Sequence, residues 1–196
     1  LNSAINDYMS DKSSAVAAYG VMNCWNVSAV TDMSYLFYWQ SGFNEDISCW
    51  DVSSVTRMDN MFQYASAFNQ DLVGWNVSRV TRMDFMFYYA QSFNQDLSIW
   101  NVGNVATMNS IFQNAQSFNQ DIGNWDVGSV SIMSYAFYFA SRFNQSLCQW
   151  YRETSGIPTG YSMFTYSGCE VLSDPNFSLK SSFCHTCHGY PTPKPS

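Results

Sequence analysis

Residues 68–100 read FNQDLVGWNVSRVTRMDFMFYYAQSFNQDLSIW, and this stretch contains the pattern that decides the fold. The motif Phe-Asn-Gln-Asp occurs twice within it, 25 residues apart. Tryptophan recurs at the same interval along most of the chain, at Trp25, Trp50, Trp75, Trp100, Trp125 and Trp150. A fixed period of this length is the sequence signature of a repeat protein, in which stacked units bury a continuous core.

Valine, methionine and phenylalanine keep the same register as tryptophan. The methionine column is Met33, Met58, Met83, Met108 and Met133, and one phenylalanine column is Phe37, Phe62, Phe87, Phe112 and Phe137. Because one unit cannot bury its own apolar face, these columns predict core positions shared between neighbouring units. We therefore interpret them as packing residues and not as a cofactor-binding set.

The spacing inside one unit predicts a short helix followed by a short strand. Apolar residues step by three and four through Val55, Met58, Met61, Phe62 and Ala65, which is typical of one face of a helix. Residues 68–75 have extended character and are the predicted strand. A strand plus a helical turn within 25 residues is the leucine-rich-repeat type of coil, so we predict an α/β repeat fold of about six coils.

The repeated string resembles the BspA-like surface-protein repeat, a relative of leucine-rich repeats that is also known from mycoplasma lipoproteins. The resemblance covers Trp25 to about Leu147, and the opening AYGVMNCWNVSAVTDMSYLF at residues 18–37 is similar to the usual entry into such an array. It implies a right-handed solenoid on a secreted or surface-anchored protein, with adhesion or unknown roles and no catalytic residues. The resemblance predicts the architecture of the protein well and the identity of its binding partner poorly.

The ends of the chain depart from the repeat and predict caps. Residues 3–19 alternate apolar and polar residues at helical spacing, which predicts that residues 1–23 form a helical N-terminal cap on the solenoid of residues 24–149. The register breaks after Trp150, where Gly156, Pro158 and Gly160 favour a loop. We interpret residues 150–188 as a disulfide-rich C-terminal cap and residues 189–196 as a Pro-rich tail or linker.

Six cysteines lie at the two ends of the chain. Cys24 and Cys49 are one period apart, so equivalent positions on adjacent coils would bring them within disulfide range, and we predict a bridge. The other four predict two further bridges, with all three pairings open: Cys148, Cys169, Cys184 and Cys187. This usage predicts an oxidising compartment and hence a secreted or cell-surface protein.

Residues 184–188 match C-x-x-C-H, the attachment pattern of c-type haem. In that alternative Cys184 and Cys187 would carry thioethers and His188 would ligate iron, with His185 or a methionine opposite it. A zinc site is a second alternative. Little sequence remains to bury a haem, so structural disulfides are the favoured interpretation, with no cofactor and no metal.

Two polar columns accompany the core. Asp46, Asp71, Asp96 and Asp121 would place like charges close together along the stack, so we expect a solvated or hydrogen-bonded ladder, with calcium bridging as the alternative. The neighbouring column of Asn44, Asn69, Asn94, Asn119 and Asn144 predicts a buried hydrogen-bonding ladder. Sequons predict N-glycosylation at Asn26, Asn76 and Asn176, provided that the protein follows a eukaryotic secretory route.

A pair of residues directly after the core phenylalanine is rich in rings. Four of the five pairs carry at least one, and these residues are Tyr38, Trp39, Tyr64, Tyr88, Tyr89, Tyr138 and Phe139. Some of them are expected to pack against the neighbouring coil. The exposed remainder predicts an aromatic stripe that contacts protein or carbohydrate.

Charge and composition restrict the function. With a net charge of −7 and only 8 Lys and Arg, no basic patch is available for a nucleic acid or an anionic membrane. No apolar run approaches the roughly 20 residues of a membrane-spanning helix. The two histidines lie outside the repeats, at positions 185 and 188, so no enzyme is predicted.

Three functions remain after these exclusions. The favoured one is a non-enzymatic extracellular structural or protein-interaction module, a subunit of a surface assembly or filament that contacts other copies of itself or other extracellular proteins. The second is an adhesion or receptor module that binds a glycan or a foreign protein. The third is electron transfer through a haem at the C-x-x-C-H motif.

Overall fold

The computed structural model describes residues 1–150, 160–173 and 184–185. Two α-helices open the chain: α1, Asn2–Ser10, and α2, Lys12–Tyr19. Asp11 caps α2, since its Oδ1 accepts the backbone N–H of Ser14 at 3.1 Å. A 3₁₀-helix, Met22–Cys24, leads into the first repeat. None of the helices in the described part of the chain has the length and apolar character that crossing a bilayer requires.

The predicted α/β architecture is wrong. From residue 25 to residue 149 the chain forms neither a helix nor a strand, so it is not a leucine-rich-repeat-like α/β solenoid. Each repeat is instead a succession of turns. Neighbouring repeats meet at isolated parallel bridges, which join Asp32 to Arg57, Arg57 to Arg82, Arg82 to Thr107 and Thr107 to Ile132.

Hydrogen bonding between repeats explains why the expected helix does not form. The N–H of Phe37 donates to the carbonyl of Met61 at 2.9 Å, and that of Trp39 donates to the carbonyl of Gln63 at 2.9 Å. The amides between them donate three residues back, as Tyr38 does to Tyr35 at 3.1 Å. An α-helix would direct every one of these amides four residues back. Half of them therefore stabilise the stack and not a local element.

This alternation places two residues of every repeat in the left-handed region of backbone space. Their φ angles lie between 54° and 63°, and they are Tyr35, Trp39, Asn60, Tyr64, Phe85, Tyr89, Ser110, Asn114, Tyr135 and Phe139. A non-glycine residue in this region costs roughly 1–2 kcal/mol. The bonds to the next repeat offset this cost, because each of these residues donates its own N–H there or lies next to one that does.

The core is a stack of aromatic layers. Within one repeat the rings of Phe62 and Phe68 lie 4.0 Å apart and nearly parallel. Between repeats the centroid of Phe62 lies 5.5 Å from those of Phe37 and Phe87, so each repeat adds one layer. The methionine column and the phenylalanine column of Phe37 are buried throughout, and so is a second phenylalanine column, made of Phe43, Phe68, Phe93, Phe118 and Phe143. These residues form one continuous core, as the periodicity predicts.

Each tryptophan from Trp50 onwards bonds to the segment one period earlier in the stack. The indole N–H of Trp100 donates to the carbonyl of Leu72, 28 residues earlier, at 3.0 Å. The other bonds of this series have the same separation, from Trp50 to Met22, Trp75 to Ile47, Trp125 to Leu97 and Trp150 to Ile122. These rings are buried, and the indole gives the carbonyl of Leu72 a second donor beside the backbone N–H of Trp75.

The asparagine column forms the predicted ladder. The N–H of Asn69 donates to Oδ1 of Asn44 at 2.9 Å, and that of Asn94 donates to Oδ1 of Asn69 at 2.9 Å. A parallel ladder is made by glutamine, since Nε2 of Gln70 donates to the carbonyl of Asn44 at 3.0 Å. The column is half-buried or exposed and not fully buried, so solvent reaches one side of it.

Trp100→Phe should destabilise the protein by about 1 kcal/mol or more, because the substitution removes the indole bond to the carbonyl of Leu72, which then keeps only the N–H of Trp75. Urea unfolding followed by circular dichroism measures the change. The matched control is Ile99→Ser at the neighbouring position, where 70% of the side chain is exposed. That variant should stay within about 0.5 kcal/mol of the parent. Equal midpoints for the two variants would show that the indole bond does not stabilise the stack.

Candidate functional site

The rings predicted as an interaction surface lie on one edge of the stack, and we call them the aromatic surface: Tyr38, Trp39, Tyr64, Tyr88, Tyr89, Tyr138 and Phe139. Trp39 is the most exposed, at 60%, whereas Tyr38 and Phe139 are 40% exposed. The remaining four are half-buried. The surface is therefore divided between rings that pack against neighbours and rings that face solvent.

Backbone geometry holds the outer rings of the aromatic surface in a column. Trp39, Tyr64 and Tyr89 occupy equivalent left-handed positions in successive repeats. Trp39 stacks on Tyr64 with centroids 4.2 Å apart, and Tyr64 stacks on Tyr89 at 5.0 Å. Asn114 interrupts the column one repeat later. Phe139 resumes it by stacking on Tyr166 at 4.5 Å.

The structure adds rings that the sequence analysis does not include. Tyr35, Phe85 and Tyr135 occupy the other left-handed position, and Tyr35 packs edge to face against Tyr38 at 5.6 Å. These rings could have been found in the sequence, because they recur at a multiple of the 25-residue period. The column of rings is hard to recognise because Asn60 and Ser110 alternate with the rings in it. Tyr161 and Tyr166, beyond the last complete repeat, extend the same edge and are 64% and 59% exposed.

Tyr88 lies among the rings of the aromatic surface, with its ring 5.3 Å from that of Tyr64 and 4.8 Å from that of Tyr89. Burial raises the pKa of the Tyr88 hydroxyl to about 12, and the neighbouring phenols Tyr64 and Tyr89 add to the shift. The folded state therefore holds this proton more tightly than the unfolded state, in which tyrosine has a pKa near 10.

This pKa shift predicts a pH dependence of stability. The contribution of Tyr88 is fully present below about pH 10 and is lost as the pH rises through about 12. The chain has 13 tyrosines, so the ionisation of Tyr88 alone is obtained by subtracting the phenolate absorbance of Tyr88→Phe from that of the parent during a pH titration. The difference curve should have its midpoint near pH 12. A difference curve with its midpoint near pH 10 would contradict the prediction.

A depression of about 390 Å³ borders the aromatic surface, and we call it the Arg–Asp groove. Its charged lining residues are Arg57, Asp59, Arg82 and Asp84. Arg57 donates to both carboxylate oxygens of Asp59, from Nε at 3.1 Å and from Nη2 at 2.8 Å. Arg82 donates from Nη2 to Asp84 at 3.1 Å. Both carboxylates are almost wholly buried, whereas 42% and 51% of the arginine side chains are exposed.

The N-terminal cysteines do not form the predicted bridge. Cys24 and Cys49 are both free and exposed. The expected equivalence fails because Cys24 ends the 3₁₀-helix that enters the stack, whereas Cys49 lies in a turn of the first repeat. Oδ1 of Asn23 accepts the N–H of Cys49 at 2.9 Å. A hydrogen bond from Asn23, the residue before Cys24, therefore joins the two segments where a disulfide was expected.

The C-terminal cysteines form disulfides. Cys169 is bonded to Cys184, with their Cα atoms 4.7 Å apart, and Cys148 is disulfide-bonded as well. The sulfur of Cys184 is consumed in this bond and so cannot also form a thioether to haem. Nδ1 of His185 lies 3.1 Å from Glu170 and its Nε2 lies 3.2 Å from the carbonyl of Asn144. Cys187 and His188 lie outside the described residues.

Thiol chemistry tests this arrangement. Iodoacetamide should modify Cys24 and Cys49 in the native, unreduced protein, because both are exposed thiols. Cys169 and Cys184 should react only after reduction. Peptide mass spectrometry locates the modified residues, and a variant carrying Cys24→Ser and Cys49→Ser provides the control. If Cys24 and Cys49 in the native protein resist alkylation until reduction, the predicted disulfide between them would be supported instead.

The aspartate column is exposed, and each member bonds locally. Oδ1 of Asp71 accepts the N–H of Val73 at 2.8 Å, and Oδ1 of Asp121 accepts that of Gly123 at 2.9 Å. Asp46 and Asp96 bond in the same way, and these hydrogen bonds lower the pKa of both carboxyls. Within the described ranges no group of three or more potential metal ligands is brought together.

The described sequons lie at the surface. Asn26 and Asn76 are exposed, and their Oδ1 atoms accept the N–H groups of Ser28 and Ser78 at 3.1 and 3.2 Å. Glycosylation at these two residues stays a prediction. Asn176 lies outside the described residues.

Stacked 25-residue units, a core of aromatic layers and an exposed aromatic edge define a repeat protein built from turns. A family model described as "Mycoplasma protein of unknown function, DUF285" matches residues 6–115 and 74–170. These overlapping matches cover most of the chain, and the chain belongs to this family. The expected kinship with mycoplasma-type repeats is thereby confirmed at the level of a domain of unknown function. No curated protein and no solved structure matches the chain.

Proposed function

We propose that this protein is a non-enzymatic extracellular structural module, and that its aromatic surface binds a second copy of the chain. The observation that carries the proposal is Trp39, a large ring that is 60% exposed at the head of a stacked column. One face of its indole rests on Tyr64. No ring of an earlier repeat covers the other face, because the preceding segment is helix α2 and the 3₁₀-helix.

The core does not need the outer rings of the aromatic surface. Phe37, Phe62 and Phe87 already fill the interior and are fully buried. The column of Trp39, Tyr64 and Tyr89 lies outside that layer. Tryptophan and tyrosine dominate the energetic centres of protein interfaces, since each buries a large area at a small entropic cost. Exposed rings held in fixed positions are suited to such a contact.

The chemistry of the aromatic surface favours self-association. None of its seven members is charged, although the chain carries a net charge of −7. Two copies can therefore approach through this edge without bringing like charges into direct contact. Tyrosine hydroxyls both donate and accept hydrogen bonds, so a tyrosine-rich patch can pair with itself across a two-fold axis.

The disulfides support the extracellular part of the proposal. Cys169 and Cys184 form a bond that persists in an oxidising compartment and is rare in the cytosol. The resemblance to BspA-like surface repeats points to the same location. Membership of a mycoplasma family is compatible with a surface protein.

Trp39→Asn should weaken self-association about tenfold or more, because loss of an aromatic residue that dominates an interface costs about 2 kcal/mol or more. Asparagine tolerates the left-handed backbone and occupies the equivalent position in this chain, at Asn114. Sedimentation velocity over a concentration series measures the dimer Kd of the parent and of the variant.

The control for this experiment is Ile99→Asn. It removes an apolar side chain that is 70% exposed at a position away from the aromatic surface, and Asn124 occupies the equivalent position one repeat later. This variant should self-associate as the parent does. A parent chain that stays monomeric throughout the series would refute the proposal, and equal loss in both variants would place the contact elsewhere.

A further inference from the structure

We propose that the Arg–Asp groove binds a single neutral sugar residue, and that the side-chain amide of Asn60 recognises its hydroxyl groups. The site is distinct from the aromatic surface. It does not rest on self-association, and either proposal can fail without the other.

The amide of Asn60 is the observation that carries this inference. Asn60 is only 9% exposed. Its backbone groups are paired, with its N–H donating to Asp84 at 2.8 Å and its carbonyl accepting from Gln63 at 3.2 Å. Its side-chain amide makes no hydrogen bond with the described part of the chain. The amide therefore keeps its donor and its acceptor free for a ligand that enters from solvent.

The position of Asn60 brings its open amide to the groove. Asn60 is one of the residues that line the depression. No fully enclosed side-chain nitrogen or oxygen in the described ranges lacks a partner, so the amide atoms of Asn60 retain access to solvent. A primary amide presents an acceptor and a donor side by side. Adjacent hydroxyls on a sugar ring present the complementary pair.

Aromatic residues stand on both sides of Asn60. Tyr35 and Phe85 occupy the same column in the preceding and the following repeat, and both line the groove. Successive layers of the stack are 5.5 Å apart, as measured between Phe37 and Phe62. A gap is therefore opened where a small residue replaces a ring. The apolar C–H faces of a sugar can pack against such rings while its hydroxyls meet the polar floor.

The charges of the groove favour a neutral ligand. The guanidiniums of Arg57 and Arg82 are balanced by the carboxylates of Asp59 and Asp84, each within hydrogen-bonding distance of one arginine. Oδ1 of Asp84 also accepts the N–H of Asn109 at 2.9 Å, and its Oδ2 accepts the hydroxyl of Thr107 at 2.7 Å. An anion would have to compete with these carboxylates. The exposed N–H groups of Arg82 remain available to a hydroxyl.

The experiment is an NMR titration of the ¹⁵N-labelled full chain with neutral methyl glycosides of glucose, galactose, mannose and N-acetylglucosamine. At least one should bind saturably, with a Kd in the millimolar range expected of a single sugar, and should shift the side-chain NH₂ signal of Asn60. Asn60→Gly should weaken that binding about tenfold, because it removes the amide. Glycine accepts a φ of 61° without strain, so the backbone is preserved.

Asn114→Gly is the matched control. Asn114 is 8% exposed, has a φ of 58° and lies outside the groove. This variant should bind the glycoside as the parent does. Sedimentation velocity without sugar should show that Asn60→Gly self-associates as the parent does, which separates this test from that of the aromatic surface.

Several results would overturn the assignment. Failure of all four glycosides to bind saturably would do so, as would equal affinity in the parent and in Asn60→Gly. Tighter binding of methyl glucuronide would show that the groove selects an anion. Larger shifts with N-methylacetamide, a mimic of the peptide bond, would make it a peptide site.

Discussion

The hydrogen bonds that alternate backbone amides make to the next repeat are the constraint on which the rest of the structure depends. They fix the vertical register, since Phe37 can reach Met61 only if the two repeats are aligned along their whole length. They exclude the α-helix, which would use the same amides internally. They also require two left-handed residues in each unit. Regular secondary structure is replaced by turns that are incomplete without a neighbour.

The exposed chemistry of the protein follows from this backbone pattern. Trp39 and Tyr64 stand in register because their left-handed positions repeat, so their rings stack without a strand or helix to carry them. The Arg–Asp groove has the same origin, because it opens where Asn60 replaces a ring between Tyr35 and Phe85. The phenylalanine layers of the core are uniform from one repeat to the next, whereas the left-handed columns are among the positions at which the repeats differ. Surface variety is added without disturbing the interior.

The sequence predicts the layers of the core but not the path of the backbone between them. The 25-residue columns identify Phe62 and Met58 as buried, and hydrophobic burial follows directly from composition and period. Steps of three and four are shared by a helix and by successive three-residue turns, so the pattern could not distinguish them. Most left-handed positions hold Tyr, Phe, Trp or Ser, and only Asn60 and Asn114 are of a type that favours positive φ. The sequence identifies the rings of the aromatic surface, such as Trp39. The sequence does not identify the Arg–Asp groove, because the pairing of its charged side chains and the open amide of Asn60 are visible only in the structure.

The reach of the tryptophan indoles has a consequence for how such a protein changes length. Every indole bond from Trp50 to Trp150 spans 28 residues and ends on an equivalent carbonyl. Gain or loss of one whole unit in the middle of the array would join donors and acceptors of the same kind, whereas a change of any other length would not. Duplication of single units is therefore the mutation that this architecture absorbs most readily. A unit such as the one that begins at Trp100, which carries no outer ring, would act as a spacer between copies of those that do.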